Sequence, residues 1–346
     1  MIHKQIEFHN VAELQTRSVS PGLFLSRYPT KVCKTMTQLG QIAARVSSGV
    51  ELRFVTDAEW ANITLSAHNE YPWASNGTID LYKGDYFCGR HTVPEGQRYT
   101  LKLSIPPLLR ELTLEAGKDA RFSPDVWRLV LGNADFVFHE LNNVGRPVRP
   151  PQKDEKPALR WLAYGSSITN AAPDGYVQHA ARFLGVDLLN KGLCGSCFCE
   201  PETARHLAKN EQWDFATLEL GVNMRWACTG EDFARRAAEF ISIFRRAQPQ
   251  KPIVLLTMFP NSDDFRKTPT QDTTRNREYR QALRDIVTKA GPRSNLHLIE
   301  GDQILTRFTE LCSDGVHPAP FGHILMAHNL APLLQPLLRK VPPHNH

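Results

Sequence analysis

The sequence predicts a two-part chain: an all-β sandwich of jelly-roll type, followed by an α/β domain on a doubly wound parallel sheet with the three layers of a flavodoxin-like fold. Three observations predict it. Residues 1–145 are dominated by short alternating runs rich in β-branched and aromatic residues. Residues 146–158 are charged and rich in proline, a composition that disfavours both helix and ladder pairing and suits an extended linker. From 159 to 346, short apolar runs alternate with amphipathic stretches of helical length, the pattern of a parallel sheet covered on both faces. A length of 346 residues fits two domains, at about 150 residues each.

In the first part, after a polar lead-in, the expected strands are Val50 to Val55, Ala61 to Ala67, Thr78 to Tyr82, Tyr99 to Ile105, Leu112 to Glu115 and Val126 to Leu131. Asn76-Gly77, Lys83-Gly84-Asp85 and Pro94-Glu95-Gly96 read as hairpin turns. Met36 to Val46 reads as a short helix. In the second part the strands are Arg160 to Tyr164, Val186 to Leu189, Phe215 to Leu220, Ile253 to Met258 and Leu296 to Ile299. The helices are Tyr176 to Leu184, Glu231 to Ala247, Arg275 to Lys289 and, near the end, the apolar Ile324 to Leu338.

Composition narrows the function classes. Forty-one Lys plus Arg against thirty-six Asp plus Glu leave a net charge of +5, spread along the chain rather than gathered into basic runs. No nucleic-acid partner is expected. No apolar run approaches the roughly 18 residues of a membrane span, so no membrane partner is expected either. The N-terminus has none of the three regions of a signal peptide, and seven cysteines is an odd number, which suits reduced thiols. A cytoplasmic location is the expectation.

In open parallel sheets, chemistry collects at the carboxyl edge, where strands give way to loops. The first strand there runs into Gly165-Ser166-Ser167-Ile168-Thr169, a turn that could present a hydroxyl nucleophile together with a backbone N–H. Alone it is equally an ordinary strand-to-helix turn with Ser167 or Thr169 as N-cap. The second strand leads to Asn190-Lys191-Gly192-Leu193-Cys194-Gly195-Ser196, whose glycines allow close backbone approach to a ligand. The third ends in Leu220-Gly221-Val222-Asn223, with an amide that could face the crevice or cap a turn. Asp314-Gly315-Val316-His317-Pro318 places a carboxylate three residues before a histidine, close enough to orient the imidazole.

Taken in order, these four blocks resemble the SGNH hydrolases, also called the GDSL esterase/lipase family, over about residues 159 to 338. The resemblance implies Ser167 as nucleophile, Asp314 and His317 as the rest of a catalytic triad, and an oxyanion hole made by Ser167, Gly195 and Asn223. It implies no metal and no organic cofactor. The family's Gly-Asp-Ser reads Gly165-Ser166-Ser167 here, and its Gly-x-Asn-Asp reads Gly221-Val222-Asn223-Met224, which marks a divergent branch with an added N-terminal sandwich. Neither departure removes a group the reaction needs.

Other residues have two readings. Cys194, Cys197 and Cys199 form a cluster beside the second block; a structural zinc site needs four ligands, so they read as free thiols packed under the loop. Trp226 and Met224 lie close enough to the third block to line an acyl or sugar pocket, and Trp226 is equally suited to a packed core. Trp60, Trp73 and Trp127 invite a carbohydrate-stacking reading, with core packing as the default. His323 and His328 have the wrong spacing for two ligands on one helical face.

The leading functional expectation is a serine esterase that removes a small acyl group such as acetyl from a sugar or glycoside. The sugar rests on analogy with carbohydrate esterases that carry an N-terminal sandwich. One alternative is an O-acyltransferase that uses the same triad with an alcohol acceptor. Another is a non-catalytic carbohydrate-binding protein.

Overall fold

The computed structural model describes residues 1–70 and 76–342. Two antiparallel sheets face each other in the N-terminal half. One has the spatial order Ile2–His3, Ile6–His9, Glu51–Thr56, Trp127–Leu131, Asn76–Lys83, Tyr86–Pro94, with Val148–Arg149 also paired to Glu51–Thr56. The other runs Glu13–Arg17, Ser20–Ser26, Asp135–Asn142, Trp60–His68, Arg98–Ser104. Alternate residues of both sheets point inward, and Phe8, Leu52, Phe54 and Leu129 meet Ile63, Leu65, Phe136 and Phe138 in one core.

Several local expectations are corrected. The polar lead-in is not irregular: it contains the first four strands, whose polar residues pair at sheet edges or face the other half of the chain. Segment 112–115 is not a strand. The chain leaves the sheet after Ser104, Pro106 and Pro107 remove backbone donors, and Leu114–Gly117 forms a 3-10 turn. Asn76-Gly77 is not a hairpin turn but the start of a strand paired with Val93 and Pro94. Glycine is needed there because a Cβ would meet Ala67 and the Phe136 ring at 2.6 Å. The proline-rich segment is extended but not loose: Val148 and Arg149 add to the sandwich, and Arg149 forms a two-pronged ion pair with Glu155 at 2.6 and 2.7 Å.

The C-terminal half holds a five-stranded, all-parallel sheet in the order Asp187–Asn190, Arg160–Tyr164, Phe215–Glu219, Ile253–Leu256, Leu296–Ile299. The first strand in sequence is thus second in space, and the chain reverses its direction of winding there, which opens a crevice at the carboxyl ends of the strands. Tyr176–Leu184 and Pro320–Leu338 cover one face through Val177, Ala180, Met326 and Leu330. Pro201–Lys209, Gly230–Ala247 and Gln271–Ala290 cover the other through Leu207, Phe240, Phe244 and Leu283. Among the described residues no helix is long and apolar enough to cross a membrane.

The two halves share a core. Residues Tyr28, Val32, Met36, Ala43 and Val46, around the Gln38–Arg45 helix, pack into the same apolar cluster as Leu189, Leu193 and Leu207. Polar anchors flank it. Arg53 holds Asp187 with bonds of 3.0 and 2.7 Å, and His9 is bonded to the Leu188 carbonyl at 2.7 Å. Burial alone would raise the Asp187 carboxyl, but Arg53 outweighs it and holds that group well below the usual carboxylate range.

Candidate active site

The strand Arg160–Tyr164 ends at Gly165, where a side chain would collide with Thr169 Oγ1 and with the Glu219 carboxylate. Only glycine lets the chain turn so tightly against its neighbours. Ser166 then caps the short helix Ser167–Asn170, its hydroxyl accepting from the Ile168 N–H at 3.2 Å. Ser167 is therefore the first helical residue, and an N–H at that position has no acceptor within its own helix.

The Ser167 hydroxyl lies 2.7 Å from His317 Nε2, and His317 Nδ1 lies 2.7 Å from Asp314 Oδ2. A carboxylate can only accept, so Nδ1 donates to it and Nε2 is left as the acceptor for the Ser167 proton. Asp314 Oδ1 accepts from the backbone N–H groups of Val316 and His317 at 2.9 and 3.0 Å. Burial would raise the Asp314 carboxyl, but these bonds and the imidazole outweigh it and hold the group below its ordinary range. The loop is pinned by the Cys312 N–H, which donates to the His317 carbonyl at 2.7 Å, and by Ser262, whose N–H donates to Gly315 at 2.7 Å.

Two further loops approach the Ser167 turn. The Leu193 N–H donates to Gly165 O at 2.8 Å, and Asn190 donates to Thr169 O at 2.8 Å while accepting from the Gly192 N–H at 3.0 Å. These bonds lash the second loop to the first, with Gly195 at its crest in a left-handed conformation, φ +67°. Asn223 follows Gly221 and occupies the 3-10 turn Val222–Met224. Its Oδ1 accepts from the Cys197 N–H at 3.1 Å, which turns the amide NH2 to the opposite side. The structure thus brings Ser167, His317 and Asp314 into one hydrogen-bonded row and ties the loops of Gly195 and Asn223 to each other.

Two residues that shape this site were not singled out in the sequence. Glu219 ends the third strand, fully buried, and its Oε2 accepts from the N–H and hydroxyl of Ser166, both at 2.7 Å, and from the Thr169 hydroxyl at 3.2 Å. Burial pushes this carboxyl up to about 7, against the pull of those bonds. A glutamate closing an otherwise uncharged run, Phe215-Ala-Thr-Leu-Glu219, was the available signal. The other is Arg27. Its buried guanidinium donates to Gly192 O at 2.8 Å, Asn190 O at 3.0 Å and Asn170 Oδ1 at 2.9 Å. Nearby, the Thr37 and Ser196 hydroxyls are 2.8 Å apart, and Leu39 covers Gly195 so closely that a Cβ there would meet it at 2.7 Å.

Met224 does not line a pocket, contrary to expectation. It is fully buried in the apolar core, because the 3-10 turn points it back under the sheet. Trp226 is not a core residue: it is 67% exposed, with the Arg225 guanidinium 5.4 Å from its ring centre. Trp127 packs in the sandwich core, Trp60 is partly exposed, and Trp73 lies outside the described residues. Cys197 and Cys199 are buried, which pushes both thiols up, and Cys197 Sγ donates to the Glu219 carbonyl at 3.6 Å. Among the described residues no group of three or more His, Cys, Asp and Glu is placed to hold a metal ion.

The fold and the site define a class. Residues 163–325 match the GDSL-like lipase/acylhydrolase family, and this part of the chain is a GDSL-like, SGNH-type domain. In overall structure the chain is similar to the salicylyl-acyltransferase SsfX3 from a tetracycline biosynthetic pathway, with a TM-score of 0.80 and 19% identity over 99% of this chain and 97% of that one. It is also similar to a candidate GDSL-like lipase from Bacteroides ovatus, with a TM-score of 0.73 and 20% identity over 98% and 97% of the two chains. A family two carbohydrate esterase from Cellvibrio japonicus gives a TM-score of 0.60 and 13% identity over 97% and 96%. These likenesses span both halves, so the sandwich and the SGNH-type domain recur together. No curated protein sequence matches this one.

Proposed function

We propose that the protein is a serine esterase that cleaves a small acyl ester through an acyl-enzyme on Ser167. The observation that carries this reading is the unbroken row from Ser167 Oγ to His317 Nε2 and from His317 Nδ1 to Asp314. Ser167 Oγ attacks the ester carbonyl as its proton passes to His317 Nε2, and Asp314 stabilises the imidazolium. The carbonyl π bond opens to an oxyanion, received by the N–H groups of Ser167 and Gly195 and by the Asn223 amide. As the oxyanion collapses, the alcohol leaves with the proton held by His317. Water then attacks the acyl group by the same steps and frees Ser167.

The substrate class that fits is an acylated sugar or glycoside, with acetyl as a small acyl group. The fold likeness to a carbohydrate esterase supports it, and the exposed Trp226 ring, three residues after Asn223 in sequence, offers a stacking surface. A second reading gives the acyl group to an alcohol instead of water; the likeness to an acyltransferase over nearly the full length of both chains favours keeping it.

One experiment separates the readings. The full chain is incubated with p-nitrophenyl acetate, with and without an alcohol acceptor, and separately with a fluorophosphonate probe. Labelling at Ser167 with release of acetate supports the esterase; acyl transfer to the alcohol at the expense of acetate supports the transferase. A folded protein that neither turns over nor is labelled overturns the esterase reading.

A further inference from the structure

Where the family pattern has an acid between the glycine and the nucleophilic serine, this chain has Ser166, and a carboxylate reaches the same spot from the neighbouring strand. The arrangement is concentrated on one oxygen. Glu219 Oε2 accepts from the Ser166 N–H, the Ser166 hydroxyl and the Thr169 hydroxyl, so it grips the residue before Ser167 and the residue two after it. Its other oxygen, Oε1, is buried and has no hydrogen-bond partner among the described residues. Thr169 is held from a second side by the Tyr176 hydroxyl at 2.9 Å.

We propose that Glu219 is the positioning residue of the nucleophile turn, fixing Ser166 and Thr169 so that the intervening Ser167 hydroxyl points at His317. This rests on the reading of Ser167 as nucleophile. Three bonds to one acceptor restrain a turn that begins at a glycine, Gly165, whose backbone is otherwise permissive. A buried carboxylate with one idle oxygen is an unfavourable element for stability alone, and its burial pushes the acid up to about 7. An apolar residue at 219 would pack the site without that penalty, but it would leave Ser166 unheld.

Glu219 and Ser166 form an exchangeable pair: one carboxylate fits there, supplied from either position. Ser166→Asp alone sets two carboxylates against each other, and like charges at that separation cannot both ionise. Ser166→Asp combined with Glu219→Gln restores a single acid and a single amide partner.

The test uses the full chain, p-nitrophenyl acetate turnover, the rate of fluorophosphonate labelling at Ser167, and thermal unfolding to confirm the fold of each variant. Glu219→Ala should lower kcat about 10²-fold with KM little changed, the scale of loss that follows a small misplacement of a reacting group. Glu219→Gln keeps an acceptor oxygen and should stay within about tenfold of wild type. Ser166→Asp should be as slow as Glu219→Ala, and S166D/E219Q should recover at least about tenfold over Ser166→Asp. A merely structural residue would lower the unfolding temperature and leave kcat per folded molecule alone. If wild type is labelled at Ser167 and folded Glu219→Ala turns over at the wild-type rate, the proposal fails while the nucleophile reading stands. If Glu219→Ala does not fold, the swap decides: a double variant no faster than Ser166→Asp overturns the proposal. Failure of wild type to be labelled at Ser167 removes the nucleophile reading, and this proposal with it.

Discussion

The Arg27 guanidinium donates to the Asn170 side-chain oxygen at 2.9 Å, joining the N-terminal half to the helix that begins at Ser167 across 143 positions of sequence. The same guanidinium bonds the carbonyls of Val46, Ala43, Asn190 and Gly192. Arg27→Met keeps the length of the side chain and takes the guanidinium from these buried acceptors, although Asn190 O keeps the Asn10 amide at 2.9 Å. The expected loss is on the order of 3 kcal/mol or more, read as a fall in unfolding temperature. A chain beginning near Lys156 should be insoluble or inactive even on p-nitrophenyl acetate, because it exposes the apolar surface that Tyr28, Val32 and Ala43 cover. Should that shortened protein be soluble, folded and as active as the full chain, the sandwich is a tethered module and not a wall of the site.

Ser167→Ala should abolish esterase turnover, with losses of about 10⁴- to 10⁶-fold, and leave the unfolding temperature nearly unchanged. The hydroxyl is partly accessible and its one side-chain partner is His317 among the bonds of the described residues, so little packing is lost. More than a few per cent of wild-type turnover in the purified, folded variant rejects the nucleophile assignment.

His317→Ala should be as damaging as Ser167→Ala, and Asp314→Asn somewhat less. An amide at 314 can still receive the two backbone N–H groups that Asp314 Oδ1 receives, but it cannot stabilise an imidazolium. The rate should fall in acid, because a protonated imidazole has no lone pair for the Ser167 proton. A kcat/KM that does not fall on acidification is incompatible with the general-base role.

Much of this arrangement was readable from the sequence, and the reason is local. Each of the four loop blocks carries its chemistry within a few residues, as Asp314 and His317 do, so their order along the chain located the crevice. Strands such as Trp127–Leu131 and Ile253–Leu256 announce themselves by apolar content that burial on a sheet demands. What escaped is non-local. Arg27 sits in a segment whose polar character reads as lead-in, and only folding carries it to Gly192 and Asn170. Glu219 reads as the edge of a strand until the Ser166 turn closes over it. Met224 went to the core and not to a pocket because the 3-10 turn Val222–Met224 buries it, while Trp226, just beyond that turn, stays exposed.

Asn223→Ala should lower kcat by about 10²-fold or more with little change in KM, since its amide is assigned to the oxyanion and not to the ground-state ester. The bond from the Cys197 N–H to Asn223 Oδ1 is also lost, so Asn223→Asp is the useful companion: it retains that acceptor but puts negative charge where the oxyanion forms. It should be at least as slow as Asn223→Ala. A rise in KM at constant kcat would make Asn223 a substrate-binding residue instead.

Burial, opposed by the bonds from Ser166 and Thr169, raises the Glu219 carboxyl from an ordinary 4.5 to about 7. A raised acid favours the folded state fully below its unfolded value, and that contribution is lost as pH rises through the folded one. Wild type therefore loses stability from this group between about pH 4.5 and 7, by an amount on the order of 3 kcal/mol. Tyr176, Cys197 and Cys199 are the other titratable groups that couple to Glu219, and burial raises all three, so they stay protonated across this range. Glu219→Gln has no proton to lose there. The difference in unfolding temperature between Glu219→Gln and wild type should accordingly move in the variant's favour as pH rises from 5 to 8, whatever its sign at pH 5. A difference that stays constant over that range would mean that Glu219 does not change its charge there, and that its carboxyl is not raised by burial.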